Sequence, residues 1–350
     1  MRSRVEKLRN AMKIGEAALI SSYPNIFYYS GFTSGDGYLL VSQDKSILIT
    51  DSRYTIQAKK QAEDFEIVDI QCGWENIFKM VDADFIGYEE NHITVKQYWN
   101  FRSKAGSKDL IEMQKIINEP RRIKDETEIK TIAEAEHIGD EAFSYVLERI
   151  HAGMTERDVA LDIEFFMKKL GASALSFETI SASGIRSAMP HGVASDKILE
   201  KGDFLTLDFG CVYNGYCSDM TRTVVIGKAS DRQKEIYNIV LKAQQSALNA
   251  LSSGKRCDEV DAVARKIISE AGYGENFGHA LGHSVGIEIH ENPSLSPKCQ
   301  DLIEPGNILT VEPGIYIEGF GGVRIEDLTV ITDNGIRNLT FSPKQLIEIS

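Results

Sequence analysis

The sequence predicts an α+β chain in two parts, a smaller α/β domain over residues 1–120 and a larger α+β domain over residues 121–350. Three observations carry this reading. Short apolar runs of strand length alternate with turn residues in the first third of the chain. The pattern breaks at Glu119-Pro120-Arg121-Arg122, where Pro120 disfavours helix at the residue before it. Beyond the break, two helical patterns followed by a strand pair occur twice in the same order.

The N-terminal part has strand-like runs at residues 17–20, 38–41 and 46–50, with Gly31, Gly35 and Gly37 marking a loop before the second. That loop stands out by its glycines. Past the break, Asp125 and Glu128 have capping-box spacing. A helix over residues 126–150 would bury Ile129, Ile132, Ala142, Val146 and Ile150. Gly153 ends it. Thr155 caps a second helix carrying Val159, Ile163, Phe166 and Leu170, which Gly171 stops. Runs at 206–210 and 217–226 flank Asn214-Gly215, a strong short hairpin signal. The order then recurs. One helix carries Ile236, Val240, Ala243, Ala247 and Leu251, and another carries Val260, Val263, Ile267 and Ala271. A hairpin over 308–317 and 322–331 turns at Gly319-Phe320-Gly321-Gly322. Two related halves around one centre are expected.

Composition narrows the function. Lys and Arg number 39 against 52 Asp and Glu, a net charge of −13, which disfavours nucleic acid as a partner. No run approaches the roughly 18 apolar residues needed to span a bilayer, and no basic amphipathic face suits a membrane surface. The positive start, residues 1–7, precedes no apolar core of signal-peptide length. Cys72, Cys211, Cys217, Cys257 and Cys299 are scattered without a Cys-x-x-Cys pair, so a cytoplasmic protein is expected, and any metal must use histidines and carboxylates.

Each hairpin carries two acids. A two-residue turn at Asn214-Gly215 sets Asp208 opposite Thr221, with Asp219 on the same face. A turn centred on Phe320 sets Glu312 opposite Leu328, with Glu326 on the same face. The neighbours are apolar: Leu205, Leu207, Phe209, Leu309, Val311 and Ile325. Buried acids on one strand face repel unless a cation lies between them. With an imidazole, four such acids suit a pair of divalent metals. Histidines are few, yet His279, His283 and His290 fall in one Gly-rich segment and His191 in Pro190-His191-Gly192. His92, His137 and His151 read as surface or packing residues.

Two motifs mislead. Gly282-His283-Ser284-Val285-Gly286 has the spacing of a serine nucleophile elbow but lacks its strand-to-helix context. His279 and His283 have zinc-helix spacing, but position 280 is Ala and Gly282 weakens a helix.

Taken together, these residues resemble the pita-bread (creatinase/aminopeptidase-like) metallopeptidases. The resemblance rests on Pro190-His191-Gly192, Asp208 with Asp219, the His279/His283/His290 set, Glu312-Pro313-Gly314 and Val323-Arg324-Ile325-Glu326-Asp327. Tyr29-Ser30-Gly31-Phe32 and Thr50-Asp51-Ser52-Arg53-Tyr54 are similar to the creatinase-like N-terminal domain of the proline-specific branch. The resemblance implies two divalent cations per subunit, Mn²⁺ foremost with Co²⁺, Zn²⁺ or Fe²⁺ as alternatives. Asp208, Asp219, His283, Glu312 and Glu326 would be the ligands, and a water made acidic by the cations would attack the scissile carbonyl. Glu312 would shuttle the proton. His191 and His290 would bind the substrate carbonyl or the tetrahedral intermediate, and His279 and Arg324 would lie near the proline pocket and the metals. The implied activity is removal of an N-terminal residue preceding proline from a small peptide, by an Xaa-Pro aminopeptidase of the aminopeptidase P type. The alternatives are an Xaa-Pro dipeptidase (prolidase) and a non-catalytic peptide-binding protein of the same fold. A homodimer is expected.

Overall fold

The computed structural model describes residues 2–350, and the chain divides into two compact units, Met1–Arg121 and Arg122–Ser350. The first is α/β. Its strands are β1 (Glu16–Ile20), β2 (Gly37–Val41), β3 (Ser46–Thr50), β4 (Glu66–Asp69), β5 (Phe85–Tyr88) and β6 (Asp109–Glu112), in the sheet order β4-β3-β2-β1-β5-β6. Its helices are α1 (Arg2–Ala11), α2 (Tyr23–Ser30), α3 (Thr55–Gln61), α4 (Trp74–Lys79), α5 (Val95–Lys104) and α6 (Gln114–Asn118). Central β1 is buried along its whole length, and Leu19, Leu40, Ile47 and Ile86 pack against Ile77, Phe78 and Phe101 of α4 and α5. The three strands legible in the sequence are β1, β2 and β3. The glycine loop has structural uses: Gly31 takes φ 75° as the C-cap of α2, and the Tyr54 hydroxyl donates to Asp36 at 2.6 Å.

In the second unit, α7 (Glu126–Leu147) begins at Asp125, whose side chain accepts from the N–H groups of Thr127 and Glu128, the expected capping box. Thr155 and Asp158 cap α8 (Glu156–Lys169) in the same way. The strands β7 (Ala174–Leu175), β8 (Ile180–Ser183), β9 (Phe204–Phe209), β10 (Cys211–Tyr213), β11 (Tyr216–Cys217) and β12 (Met220–Ile226) follow, then α9 (Asp231–Ala250) and α10 (Cys257–Glu270). The chain ends with β13 (Gly282–Ser284), β14 (Glu291–Leu295), β15 (Ile308–Val311), β16 (Gly314–Ile317), β17 (Gly321–Arg324), β18 (Asp327–Thr332), β19 (Gly335–Asn338) and β20 (Glu348–Ile349).

The larger sheets run β20-β12-β9-β8 and β14-β13-β15-β18-β19. Each is covered by its own helix pair. Phe143, Val146, Val159 and Ile163 of α7 and α8 pack on Leu205, Leu207, Phe209 and Val224. Ile236, Val240, Val260 and Ile268 of α9 and α10 pack on Leu309, Val311, Ile315 and Ile331. The expected stripes of α7 and α9 are the buried ones. In α10 the buried stripe is Val260, Ala264 and Ile268, with Val263 and Ile267 only partly covered, because both faces of that helix carry apolar residues.

Candidate active site

The site grows out of the two central hairpins, each of which loses its ladder for a few residues. Asp219 lies between β11 and β12, Glu312 between β15 and β16, and Glu326 between β17 and β18; Asp208 is the penultimate residue of β9. In the first hairpin Tyr213 pairs with Tyr216 across Asn214 (φ 47°) and Gly215 (φ 83°), and Asp208 faces Thr221 as expected. The second hairpin departs from expectation. Ile317 pairs with Gly321, Gly314 with Arg324 and Thr310 with Leu328. Its turn is therefore centred on Gly319 (φ 73°) rather than Phe320, a three-residue loop. Carried through the break, this register sets Glu312 level with Glu326 and not with Leu328.

The side chains converge on one point. His283 Nε2 lies 3.4 Å from both Asp219 Oδ2 and Glu312 Oε1. Its Nδ1 faces the Ser284 carbonyl at 3.2 Å, an arrangement that keeps the proton on Nδ1 and turns the Nε2 lone pair toward the acids. The hydroxyl of Thr221 donates to Glu326 Oε2 at 2.6 Å and that of Thr310 to Glu312 Oε1 at 3.1 Å. Arg324 donates to Asp208 Oδ2 at 2.5 Å, to the Tyr316 hydroxyl at 2.7 Å, to Thr221 Oγ1 at 3.1 Å and to the Pro190 carbonyl at 3.2 Å. His279 Nδ1 faces the Ala280 carbonyl at 2.8 Å, so its Nε2, 2.9 Å from the Tyr316 oxygen, accepts the phenolic proton.

Burial sets the electrostatics. It pushes the carboxyls of Asp219, Glu312 and Glu326 above the ordinary range, and neighbouring acids push Asp219 and Glu326 further. Burial lowers His279 to about 4 and, with His283 and His191 nearby, lowers His290. Asp208 Oδ1 and Glu326 Oε1 are buried and accept no hydrogen bond. Asp219, His283 and Glu326 offer ligand atoms all within 4.8 Å of one another. Crowded carboxylates with an oxygen to spare, one imidazole and no thiolate make a donor set that fits divalent cations.

All the residues singled out in the sequence, His191, Asp208, Asp219, His279, His283, His290, Glu312, Arg324 and Glu326, line one cavity of about 360 Å³. Phe177, Ile180, Pro190 and Ile289 give it an apolar wall. His92, His137 and His151 are exposed, away from its lining. Ser284 of the elbow-like motif is buried on a strand and accepts from Lys124 Nζ at 3.0 Å. Sequence reasoning missed Tyr316 and the roles of Thr221 and Thr310. A signal for Tyr316 existed in its flanking glycines: a Cβ on Gly314 would lie 2.5 Å from the Tyr316 oxygen, and one on Gly322 2.8 Å from its ring.

The family model for metallopeptidase family M24 matches residues 130–333, and that for the creatinase/prolidase N-terminal domain matches residues 4–123. The solved Xaa-Pro dipeptidase from Bacillus anthracis is similar with a TM-score of 0.96 at 44% identity, over 99% of each chain. The X-Pro aminopeptidase from Thermotoga maritima MSB8 reaches 0.92 at 40% identity, over 99% of this chain and 100% of that one. The Xaa-Pro dipeptidase of Pyrococcus furiosus is 40% identical over 99% of this chain and 100% of its own length.

Proposed function

The chain belongs to metallopeptidase family M24, with a pita-bread fold and a creatinase-type N-terminal region, and on that premise we propose that it is an Xaa-Pro dipeptidase. The observation that carries this reading is full-length similarity to Xaa-Pro dipeptidases, and the cavity has room for such a substrate. At about 360 Å³ it sits near the lower end of the roughly 300–1,000 Å³ of small-ligand sites, a size suited to a dipeptide. The aminopeptidase P type, the first expectation above, gives way to the prolidase alternative. Full-length similarity to two Xaa-Pro dipeptidases favours that alternative, with one X-Pro aminopeptidase on the other side.

Asp208, Asp219, His283, Glu312 and Glu326 are the residues we assign to hold two divalent cations, with Mn²⁺ the first to assay. Such cations, when bound, supply Lewis acidity and lower the pKa of water. The protein's own part is positional. Arg324 holds Asp208 and fixes Tyr316, which orients His279 as a neutral ring. Glu312 faces the cavity beside the other acids and is assigned to take a proton from the attacking water and return it to the proline nitrogen. An Xaa-Pro bond offers no amide N–H, so that nitrogen needs a delivered proton to leave. His191 and His290 line the same cavity from exposed positions and are assigned to donate to the scissile carbonyl oxygen.

Free cysteines throughout fit a cytoplasmic enzyme, with residues 1–120 and 121–350 as its domains and a homodimer as its assembly. The test is side-by-side hydrolysis of Ala-Pro, Ala-Pro-Ala and Met-Ala-Ser after chelation and addition of Mn²⁺. Ala-Pro should be cleaved and the other two spared. Preference for Ala-Pro-Ala would restore the aminopeptidase P type. Silence on all three, repeated with Co²⁺ and Zn²⁺, would leave a peptide-binding protein.

A further inference from the structure

His191 and His290 both lie outside regular secondary structure, on loops that must hold them at the cavity. Each loop is closed at its base by one buried carboxylate. Glu156, the first residue of α8, is wholly buried. Its Oε1 accepts from the N–H of Ser183 at 2.7 Å and the Ser183 hydroxyl at 2.9 Å. Its Oε2 accepts from the N–H of Ser195 at 3.1 Å, the Ser195 hydroxyl at 2.6 Å and Arg186 Nε at 3.0 Å. Ser183 ends β8 and Ser195 lies four residues past His191, so a single carboxylate joins both ends of the stretch 183–195. Inside it, Arg186 donates to the Val193 carbonyl at 2.6 Å.

The second loop repeats the device. Glu291 Oε1 accepts from the N–H groups of Ile287 at 3.0 Å and Glu288 at 3.2 Å, and Oε2 from Lys124 Nζ at 3.0 Å. Gly286 leaves it room, since a Cβ there would lie 2.5 Å from the carboxylate. Only an ionised acid offers two acceptor oxygens to so many donors; an amide turns one of them into an N–H facing other N–H groups.

We propose that Glu156 and Glu291 are positioning residues for the reaction, setting the reach of His191 and His290 into the cavity. The proposal rests on the reading of those histidines as substrate-binding groups. It does not involve the acids assigned to the metals.

The experiment is a double-mutant cycle in the full chain with Mn²⁺ restored. Glu156→Gln and Glu291→Gln should each lower kcat/KM on Ala-Pro by about ten- to hundredfold, the scale of a small misplacement. Glu156→Gln should add no further loss in a His191→Ala background, nor Glu291→Gln in a His290→Ala background. An equal loss in both backgrounds would overturn the positioning role. Amide hydrogen exchange supplies a readout independent of turnover: 183–195 should lose protection in Glu156→Gln while β9 and β12 keep theirs. Unchanged exchange in that stretch would also overturn it. If Glu156→Gln fails to fold, Ser195→Ala, which removes the 2.6 Å bond and keeps the charge, decides by the same two readouts. If the unmodified protein cleaves no Xaa-Pro peptide, the functional reading falls, while the exchange result still decides the anchors.

Discussion

Glu136 on α7 shows how strongly the electrostatics around the site bear on the fold. It is fully buried, with Oε1 accepting from Thr340 Oγ1 at 2.6 Å and Oε2 from the N–H of Asp219 at 3.2 Å. Burial pushes its carboxyl from 4.5 up to about 8. A carboxyl raised in this way is protonated in the fold while still ionised in the unfolded chain. Its contribution to stability is fully present below 4.5 and is lost as pH rises through about 8. At about 1.4 kcal/mol for each pH unit, that span is about 5 kcal/mol at most. Glu136→Gln removes the titration in nearly the same shape. The assay is urea unfolding of both proteins at pH 5 and pH 8.5 with chelator throughout. The raised acids Glu312 and Glu326 then titrate alike in the two proteins, and Asp219, which the charge on Glu136 helps to raise, adds to the difference in the same sense. The original chain should lose more stability across this interval than the variant, by about 2–4 kcal/mol. Parallel pH profiles would refute the reasoning, because the buried carboxylate would then be compensated as an anion.

Three further outcomes follow from the site. Asp219→Ala should abolish Ala-Pro hydrolysis and lower the bound divalent metal measured by atomic absorption; full turnover in that variant would sink the ligand assignment. Chelation should lower the thermal midpoint as well as activity, and Mn²⁺ should restore both, with a gain of about 2.7 kcal/mol at a hundredfold excess over Kd. A midpoint indifferent to Mn²⁺ would contradict binding at the acids. Tyr316→Phe takes away the oxygen between Arg324 and His279, leaving each buried group short of a partner at about 1–3 kcal/mol apiece. Its unfolding midpoint and its Ala-Pro kcat should both fall, and an unchanged midpoint would show that water or a neighbour replaces the phenol.

What the sequence disclosed tracks how tightly local chemistry constrains geometry. Asn214-Gly215 admits one two-residue turn, so the facing of Asp208 and Thr221 could be read directly. Gly319-Phe320-Gly321-Gly322 admits several turn centres, and the level of Glu312 against Glu326 was missed by that freedom alone. Charged residues in apolar strands stand out, whereas Thr221, Thr310 and Tyr316 are ordinary strand residues whose roles appear only when the hairpins meet. In the N-terminal unit, β4 and β6 are four residues long with exposed acids at both ends, which hides their alternation. The buried β1 had no such disguise.

The ladder breaks explain why both halves are needed to build one site. At a break, a backbone group freed from its own hairpin can bond to the other. Glu326 N–H donates to the Thr221 carbonyl at 3.1 Å, Arg324 N–H to Thr223 Oγ1 at 3.2 Å, and Thr223 Oγ1 to the Arg324 carbonyl at 2.9 Å. Buried Arg222 locks the same seam, donating to the Thr221 and Glu326 carbonyls and to Asp327 Oδ1 at 2.9 Å. These crossing bonds bring Asp208 and Asp219 of one hairpin to Glu312 and Glu326 of the other, against their mutual repulsion. Had each ladder run unbroken, the backbone N–H of Glu326 would be committed within its own sheet, and the seam would lose the bond that sets the second pair of acids beside the first. The two-fold order of elements thus has a chemical consequence: neither half carries enough acids for two cations, and the breaks are where the halves combine them.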